Sequence, residues 1–500
     1  MTGIMPVFKP FLDKAVTGWY LISSHFPGYR MLFNSPEFVF LFLPTAVIVY
    51  FLLNRMRLLY AGMVWLTLAS FFFYAFWSPQ YLILILGSIF VNYTIGTALA
   101  REKKEILRIP VSKKVLFIGG IILNLGFLGY YKYTDFLITN ANLLFGASFE
   151  LQHIVLPLAI SFFTFQQVAY LVDSYRGETR EYDFVNYCLF VTFFPQLIAG
   201  PIVHHGEMMP QFAALRTKVF NAENLARGLF IFSIGLFKKA VVADLFAVWA
   251  NNGYDNPVAL TLLNAWVVSL SYTLQLYFDF SGYTDMAMGG ALMCNIRLPL
   301  NFNSPYKALS IQDFWRRWHM TLSRWLRDYL YIPLGGNRKG PGRTYLNLFL
   351  TFLLGGLWHG AGWTFVIWGA LHGLATALHK FWQDAGYRMP RLLGWLCTFL
   401  FVHIAWVFFR APDLPKAGYM LKGLVGLNGI THGAQEIYGS LPGTVALLTV
   451  FLVIAVRSPN SMEWASRFRI TTRWAIAGGL IAGTAILGMG RVTEFLYFNF

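Results

Sequence analysis

The sequence has few charged residues for its 500-residue length. Asp, Glu, Lys and Arg make up 12% of it, against about 25% in a typical soluble protein. Hydrophobic residues make up 57%, and Phe, Tyr and Trp alone reach 18%. So few charges cannot cover the surface of a soluble fold of this size. The composition therefore excludes a soluble enzyme and a disordered chain, and it predicts an integral membrane protein.

Acidic residues and cysteines are also scarce. Lys and Arg number 39 against 23 Asp and Glu, which gives a formal net charge of +16. In a membrane protein this excess is typical of cytoplasmic loops that face anionic headgroups, so we expect membrane lipid and no nucleic acid as a partner. The three cysteines, Cys188, Cys294 and Cys397, lie far apart in apolar stretches. They form no disulfide or zinc pattern, and we expect no metal site.

Long apolar runs fill most of the chain. A helix needs about 20 mainly apolar residues to span a bilayer. Segments of this kind lie at 38–54, 58–77, 81–100, 115–131, 154–172, 185–203, 229–250, 258–280, 346–370, 393–409, 442–456 and 474–490. We therefore predict an all-α, polytopic membrane protein with about 11–13 transmembrane helices.

The charges of the first loops predict the orientation of the chain. Arg55 and Arg57 follow the first span, and the basic stretch 101–114 follows the third. The positive-inside rule places both loops in the cytoplasm. Residues 1–30 lack the features of a cleavable signal peptide. We interpret them as an N-terminal extension, which is either an interfacial helix or a misassigned start upstream of Met31.

The segment 304–345 is the most basic part of the sequence, with eight Lys or Arg against two Asp. At about 100° per residue, the apolar residues from Ile311 to Tyr329, including Trp315, share one arc of a helix, and the arginines, including Arg316, share the opposite arc. This pattern predicts a cytoplasmic amphipathic helix at the membrane surface. The glycine-rich loop around Asn337 is expected to contact lipid headgroups or the phosphate of a cytoplasmic ligand.

Two histidines are the strongest candidates for chemistry. His359 lies in GGLWHGAGW (355–363), inside an apolar run, and an ionisable residue within a membrane span predicts a functional site. His319 lies at the edge of the apolar arc of the basic segment. The adjacent His204 and His205 are weaker candidates, because regular backbone would not direct both rings at one ligand.

Polar residues also lie inside the apolar stretch LQLYFDFSGYTDMAMGGALMCN (274–295). They are Gln275, Asp279, Asp285 and Asn295, and we predict that Ser281-Gly282 breaks the helix between the two aspartates. At such a break, the carboxylates either line a polar cavity or proton path or cap two half-helices.

Several motifs, occurring in one order, resemble the membrane-bound O-acyltransferase (MBOAT) family, and in particular its bacterial branch of alginate O-acetyltransferases and D-alanyl-transfer proteins. The motifs are MLFNSPEFVFLFLP (31–44), SFFTFQQVAYLVDSYRGE (161–178), FFPQLIAGPI (193–202), YFDFSGYTDMAMG (277–289), NFNSPYKALSIQDFWRRWH (301–319), GGLWHGAGW (355–363) and FLYFNF (495–500). The resemblance covers most of residues 31–500, which we interpret as one MBOAT transmembrane domain.

The resemblance implies a ring of helices around a thinned centre, with His359 and His319 as the catalytic residues. It implies acetyl-CoA as the acyl donor, with no bound cofactor, and O-acetylation of an alginate-like exopolysaccharide across the bacterial inner membrane. It also implies a periplasmic SGNH-hydrolase-like acetyltransferase as partner. We expect the donor channel to comprise Trp358, Asp279, Asp285, Gln275, Trp315, Arg316 and Asn337.

Two other functions remain open from the sequence. A polytopic transporter or exporter is suggested by the number of spans and by the aspartates within an apolar run. Transfer of a D-alanyl or lipid acyl group by a member of the same family is closer in chemistry, and the identity of the acyl donor separates D-alanyl transfer from acetyl transfer.

Overall fold

The computed structural model describes residues 31–77, 79–100, 112–179, 183–198, 200–255, 257, 260–430, 440–490 and 496. The predicted extension 1–30, most of the basic stretch 101–114 and most of the C-terminal motif lie outside the described residues.

Helices account for all the regular secondary structure in the described part of the chain, as predicted. They are α1 (Phe38–Arg55), α2 (Leu59–Ala75), α3 (Pro79–Ala100), α4 (Lys113–Phe145), α5 (Ile160–Arg176), α6 (Phe184–Thr192), α7 (Phe194–Leu197), α8 (His205–Ala213), α9 (Ala222–Phe237), α10 (Asp244–Asp255), α11 (Leu262–Met293), α12 (Ile311–Trp315), α13 (Met320–Leu326), α14 (Pro341–His359), α15 (Trp363–Asp384), α16 (Arg391–Arg410), α17 (Leu414–Leu424), α18 (Leu441–Arg457), α19 (Ser461–Arg467) and α20 (Thr472–Gly488). Short π-helices occupy Lys238–Ala243 and Arg327–Tyr331, and 3₁₀ turns occupy Leu215–Lys218 and Pro305–Lys307.

Within the described residues, four helices are long and apolar enough to cross a membrane: α1, α3, α4 and α16. The pair α18 and α19, bent by 59°, makes a fifth if it counts as one span. Other predicted spans are short or divided: α2 has 17 residues, and 185–203 forms α6 and α7 with a turn at Phe193. The multi-pass membrane fold is confirmed, and the count of 11–13 spans stays a prediction.

Helix α11 lies at the centre of the fold. It is almost entirely buried from Asn264 to Met293 and packs against α9, α10, α16, α17 and α18. The predicted helix break at Ser281-Gly282 is wrong, because α11 continues through both residues. Gly282 instead faces Gly235 of α9, where a Cβ on Gly235 would lie 2.5 Å from the Gly282 carbonyl oxygen. The glycine therefore serves close helix packing, and neither aspartate caps a half-helix.

Helices α14 and α15 form an antiparallel hairpin, and His359 is the last residue of α14 before the turn. A Cβ on Gly356 would lie 2.4 Å from the Phe365 carbonyl oxygen, so the two backbones approach too closely for any larger residue there. Part of the glycine content around His359 is thus required by the hairpin itself. The hairpin places His359 at the C-terminal end of α14, where the helix meets the turn at 360–362.

The basic segment is not one continuous amphipathic helix. His319 has a φ of 43°, in the left-handed region, and it separates α12 from α13. A right-handed helix cannot continue through such a residue. Most residues of the apolar arc are buried in the protein core, among them Phe314, Trp318 and Leu322, so the arc packs against other helices of the protein. The position of the segment at the membrane surface stays a prediction.

Candidate functional site

His359 lies in a fully enclosed aromatic environment. Its side chain is 2% exposed. The rings of Trp358, Trp368 and Phe409 lie edge-on to the imidazole at centroid distances of 4.9, 5.0 and 5.2 Å. Such a site excludes water, which strengthens any electrostatic interaction inside it.

Helix α4 holds the end of α14 in place. The last carbonyl groups of a helix have no partner within the helix. Here the Tyr133 hydroxyl donates to the Leu357 carbonyl (2.6 Å), and the Lys132 ammonium donates to the carbonyls of Trp358 and His359 (3.1 Å for the second). A cation at a helix C-terminus is also favoured by the helix dipole. Lys132 and Tyr133 therefore fix the backbone that carries the His359 ring.

His319 is held by Asn301. The imidazole is 0% exposed, and its Nδ1 lies 3.1 Å from Asn301 Oδ1. The Thr321 backbone N–H also donates to that amide atom (3.3 Å), so the atom is the oxygen and can only accept. His319 Nδ1 therefore carries the proton. In the neutral ring, Nε2 is then left as the nitrogen with the lone pair, which a general base requires.

The two histidines belong to one site. Trp318, the residue before His319, contacts the Trp406 ring at 5.0 Å, and Trp406 in turn stacks on Trp368 at 5.9 Å. The Trp368 ring contacts both His359 and His372, at 5.0 and 4.7 Å. His372 Nδ1 in turn accepts a hydrogen bond from the Trp315 indole N–H (3.2 Å). The structure thus joins the basic segment to the α14–α15 hairpin through a layer of aromatic and imidazole rings.

A cavity of about 600 Å³ opens beside this layer. Three of the predicted channel residues, Trp315, Arg316 and Asn337, line it. Arg324, Arg327 and Lys380 also line it, each paired with a carboxylate (Glu207, Asp328 and Asp384) that is not part of the wall. Met320 and Thr321, the two residues after His319, form part of the wall. Neither catalytic-candidate ring is part of the wall itself. The cavity therefore extends to the residues that follow His319 in the chain.

The remaining predicted channel residues lie elsewhere. Gln275, Asp279 and Asp285 are buried on α11 and do not line this cavity. Asp279 forms an ion pair with Lys239 (2.8 Å), and Asp285 forms one with Lys238 (2.7 Å). Both carboxylates therefore neutralise buried lysines that hold α11 to the segment after α9. Their role in a channel stays a prediction.

A second polar cluster was missed in the sequence. Asp173, at the end of α5, accepts hydrogen bonds at Oδ2 from His204 Nε2 (2.7 Å), His205 Nε2 (3.0 Å) and the Tyr329 hydroxyl (2.6 Å). Burial alone would raise the pKa of the Asp173 carboxyl, but these hydrogen bonds hold it well below its usual range. The expectation that His204 and His205 cannot share a ligand is wrong, because His204 has extended backbone at the N-cap and His205 begins α8.

This cluster has the residue types of a metal site, which the sequence did not predict. The ligand atoms of Asp173, His204 and His205 lie within 4.8 Å of one another. However, His204 Nδ1 accepts a hydrogen bond from the Gly206 N–H (3.2 Å), which leaves the ring proton on Nε2, facing the carboxylate. A metal would need that nitrogen deprotonated. These residues therefore form a hydrogen-bonded cluster that joins α5, α8 and the π-helix Arg327–Tyr331. Their protonation suits this cluster better than it suits a metal site.

Two further residues support the site, and one of them, Lys132, could have been found from the sequence. Lys132 is a lone cation within an apolar run, which is the same signal that identified His359. Asn301 lies in a motif that carried the family resemblance, but its role depends on the left-handed turn at His319, which no local pattern predicts.

The sequence of this chain is similar to those of several known proteins. The model of the membrane-bound O-acyltransferase family matches residues 127–411. The peptidoglycan O-acetyltransferase of Helicobacter pylori is 46% identical over 94% of this chain and 98% of its own length. The protein named "Probable alginate O-acetylase AlgI" of Pseudomonas aeruginosa is 42% identical over 79% of this chain and 75% of its own. The teichoic acid D-alanyltransferase of Bacillus subtilis is 30% identical over 50% of this chain and 68% of its own.

These relatives are acyltransferases, so the transporter interpretation is not retained. The family match includes both candidate histidines, and the all-helical, multi-pass fold is the one that the resemblance implies. The chain belongs to the membrane-bound O-acyltransferase family, and it is a membrane O-acyltransferase.

Proposed function

We propose that the protein takes an acetyl group from cytoplasmic acetyl-CoA and delivers it across the bacterial inner membrane for O-acetylation of an envelope polysaccharide. The observation that carries this proposal is the basic cavity of 600 Å³, because its wall includes the two residues that follow His319. Acetyl-CoA has a polyanionic nucleotide end and a long pantetheine arm that ends in a thioester. Such a donor could place its phosphates against the cations and its thioester toward the histidines.

The cations of the cavity wall suit a phosphorylated donor. Arg316, Arg324, Arg327 and Lys380 lie on one cavity, and guanidinium groups bind phosphate oxygens through two hydrogen bonds at once. Glu207 pairs with Arg324, and Asp328 (2.7 Å) pairs with Arg327, so these two arginines are already oriented. A D-alanyl carrier protein would instead need an open docking surface around its single phosphate.

The proposed reaction is a direct transfer. The acceptor hydroxyl oxygen attacks the thioester carbonyl carbon while an imidazole nitrogen takes the hydroxyl proton. The tetrahedral intermediate then collapses, the C–S bond breaks, and the imidazolium returns the proton to the departing thiolate. His359 is the proposed base. His319, held by Asn301 with its lone pair on Nε2, is proposed to assist at the donor side.

The final acceptor is a hydroxyl of a sugar polymer outside the membrane. The peptidoglycan O-acetyltransferase of Helicobacter pylori aligns with nearly the whole chain and supports peptidoglycan, whereas the AlgI relatives support an alginate-like exopolysaccharide. In either case a periplasmic SGNH-hydrolase-like acetyltransferase is the proposed partner that completes the transfer.

Complementation in a strain that lacks the gene tests this proposal. Cells carrying wild-type protein should O-acetylate the polymer, whereas His359→Ala and His319→Ala, at equal membrane abundance, should lose about 10²-fold or more of it. His379→Ala, a change of a half-buried histidine outside this site, is the matched control and should keep full activity. Mass spectrometry of peptidoglycan fragments and of secreted polysaccharide identifies the polymer. Full acetylation by both site variants, or D-alanyl esters in place of acetyl esters, would overturn the proposal.

A further inference from the structure

A second large groove lies along α1, and its wall shares no residue with the wall of the 600 Å³ cavity. Its volume is about 780 Å³, which is within the usual range for a ligand pocket. The wall is almost entirely apolar and comes from α1, the segment 218–220, α9 and Met293. An apolar groove on a membrane-spanning helix is accessible to lipid chains.

The walls of the groove are fixed by specific contacts. The Tyr50 hydroxyl donates to the Thr217 carbonyl (3.3 Å), and the Asn295 amide donates to the carbonyls of Thr217 and Val219 (3.1 and 2.7 Å). The rings of Phe51 and Phe220 meet edge-to-face at 5.4 Å. These contacts bind the end of α1 to the segment 217–220, so the groove is formed before any ligand arrives.

One end of the groove is positively charged. Arg55 and Lys218 line it, and no acidic residue is among the described residues of its wall. Neither cation forms an ion pair with another described residue. Partial burial lowers the pKa of Lys218. An anion at this end would offset the partial burial of Lys218 and would also attract the exposed Arg55.

Asn54 adds a polar group to the same end. Its side chain is 7% exposed and lies in the wall beside Tyr50. The Tyr50 side chain interacts with this amide, so the wall carries one neutral polar group among its apolar residues at this end.

We propose that this groove binds one anionic phospholipid of the cytoplasmic leaflet, with its acyl chains along the apolar wall and its phosphate against Arg55 and Lys218. The loop charges place this end of α1 at the cytoplasmic surface, where anionic lipids are enriched. The lipid is a bound component of the protein and is independent of the acetyl donor.

Lipid retention by the purified full-length protein tests this site. Native mass spectrometry is performed in detergent with phosphatidylglycerol or phosphatidylcholine of identical acyl chains. Wild-type protein should retain one phosphatidylglycerol with about 30-fold preference, because the choline cation of phosphatidylcholine offsets its phosphate charge near Arg55 and Lys218, whereas phosphatidylglycerol keeps a net negative charge. The double variant Arg55→Gln/Lys218→Gln should lose that preference. Arg57→Gln, a change of an exposed neighbouring arginine outside the groove, should keep it.

Two further measurements make the result decisive. Thermal unfolding without added lipid should be the same in the double variant and the wild type, because neither cation pairs with a described side chain. Inorganic phosphate should not compete with phosphatidylglycerol, since it cannot occupy the apolar wall. Equal retention of the two lipids by wild-type protein, unchanged preference in the double variant, or displacement by inorganic phosphate would overturn the proposal.

Discussion

Replacing Asn301 by Leu removes the group that sets the tautomer of His319. Asn301 Oδ1 accepts from His319 Nδ1, from the Thr321 N–H and from the Thr321 hydroxyl (3.1, 3.3 and 2.8 Å). Leucine is of similar size but has no acceptor. The ring proton of His319 then has no fixed position, and Nε2 no longer reliably carries the lone pair.

The expected magnitudes follow from these contacts. Two donors that cannot rotate away, the His319 Nδ1–H and the Thr321 N–H, would be left buried without an acceptor. Each costs about 1–3 kcal/mol, so Asn301→Leu should lower the free energy of unfolding by roughly 2–6 kcal/mol. The loss of a correctly protonated acid–base group should lower kcat by about 10²–10⁴-fold.

A second destabilised variant separates these two effects. The Thr321 hydroxyl accepts from the Ile202 N–H (3.0 Å), so Thr321→Val also leaves a buried donor unpaired, but it keeps the acceptor of His319. Both variants are purified in detergent, their thermal unfolding is followed, and acetyl transfer is measured per folded molecule. Thr321→Val should keep kcat within about tenfold of wild type. If the two variants lose kcat equally, the proposed role of Asn301 is wrong.

Three other changes test the supporting structure. Lys132→Met should lower kcat by about 10²-fold, because the end of α14 is no longer held within the distance that catalysis requires; an unchanged kcat would separate Lys132 from the site. Tyr329→Phe should lower the free energy of unfolding by about 1.5–3 kcal/mol, the value of one hydrogen bond to a carboxylate, as measured by thermal unfolding. Since the pKa of Asp173 is held low, that stabilisation should be present above about pH 4 and lost as the pH falls further. Gly235→Ala should destabilise the α9–α11 packing strongly, whereas Gly479→Ala, with open space around its Cα, should be nearly neutral.

The sequence predicted the class of fold because apolar runs depend on local physics, whereas the catalytic roles of His359 and His319 stay predictions. An apolar run with one ionisable residue marks a membrane span with a function, wherever the helix lies. The predicted helix break at Ser281-Gly282 was wrong because a glycine can either interrupt a helix or allow two helices to pack closely. Only the position of α9 shows that Gly282 allows close packing.

The hydrogen-bonded cluster around Asp173 could not be predicted either, because it too depends on contacts between distant parts of the chain. Its carboxylate and its three donors come from separate parts of the chain, and their meeting depends on a change of backbone conformation between His204 and His205. The predicted channel residues also proved to lie in two places. Trp315, Arg316 and Asn337 line one cavity, whereas the aspartates of α11 are buried against neighbouring helices. Lys239 and Lys238, which pair with Asp279 and Asp285, lie 40 and 47 residues away in the chain, so the sequence of α11 alone does not reveal these ion pairs.

The most direct test of the central claim is the movement of label from radioactive acetyl-CoA in inverted membrane vesicles that retain the native polymer machinery. Wild-type vesicles are compared with vesicles that carry His359→Ala at equal abundance. Label should enter a protein or polymer acceptor only when His359 is present. Equal labelling in both kinds of vesicle would show that His359 is not the catalytic base.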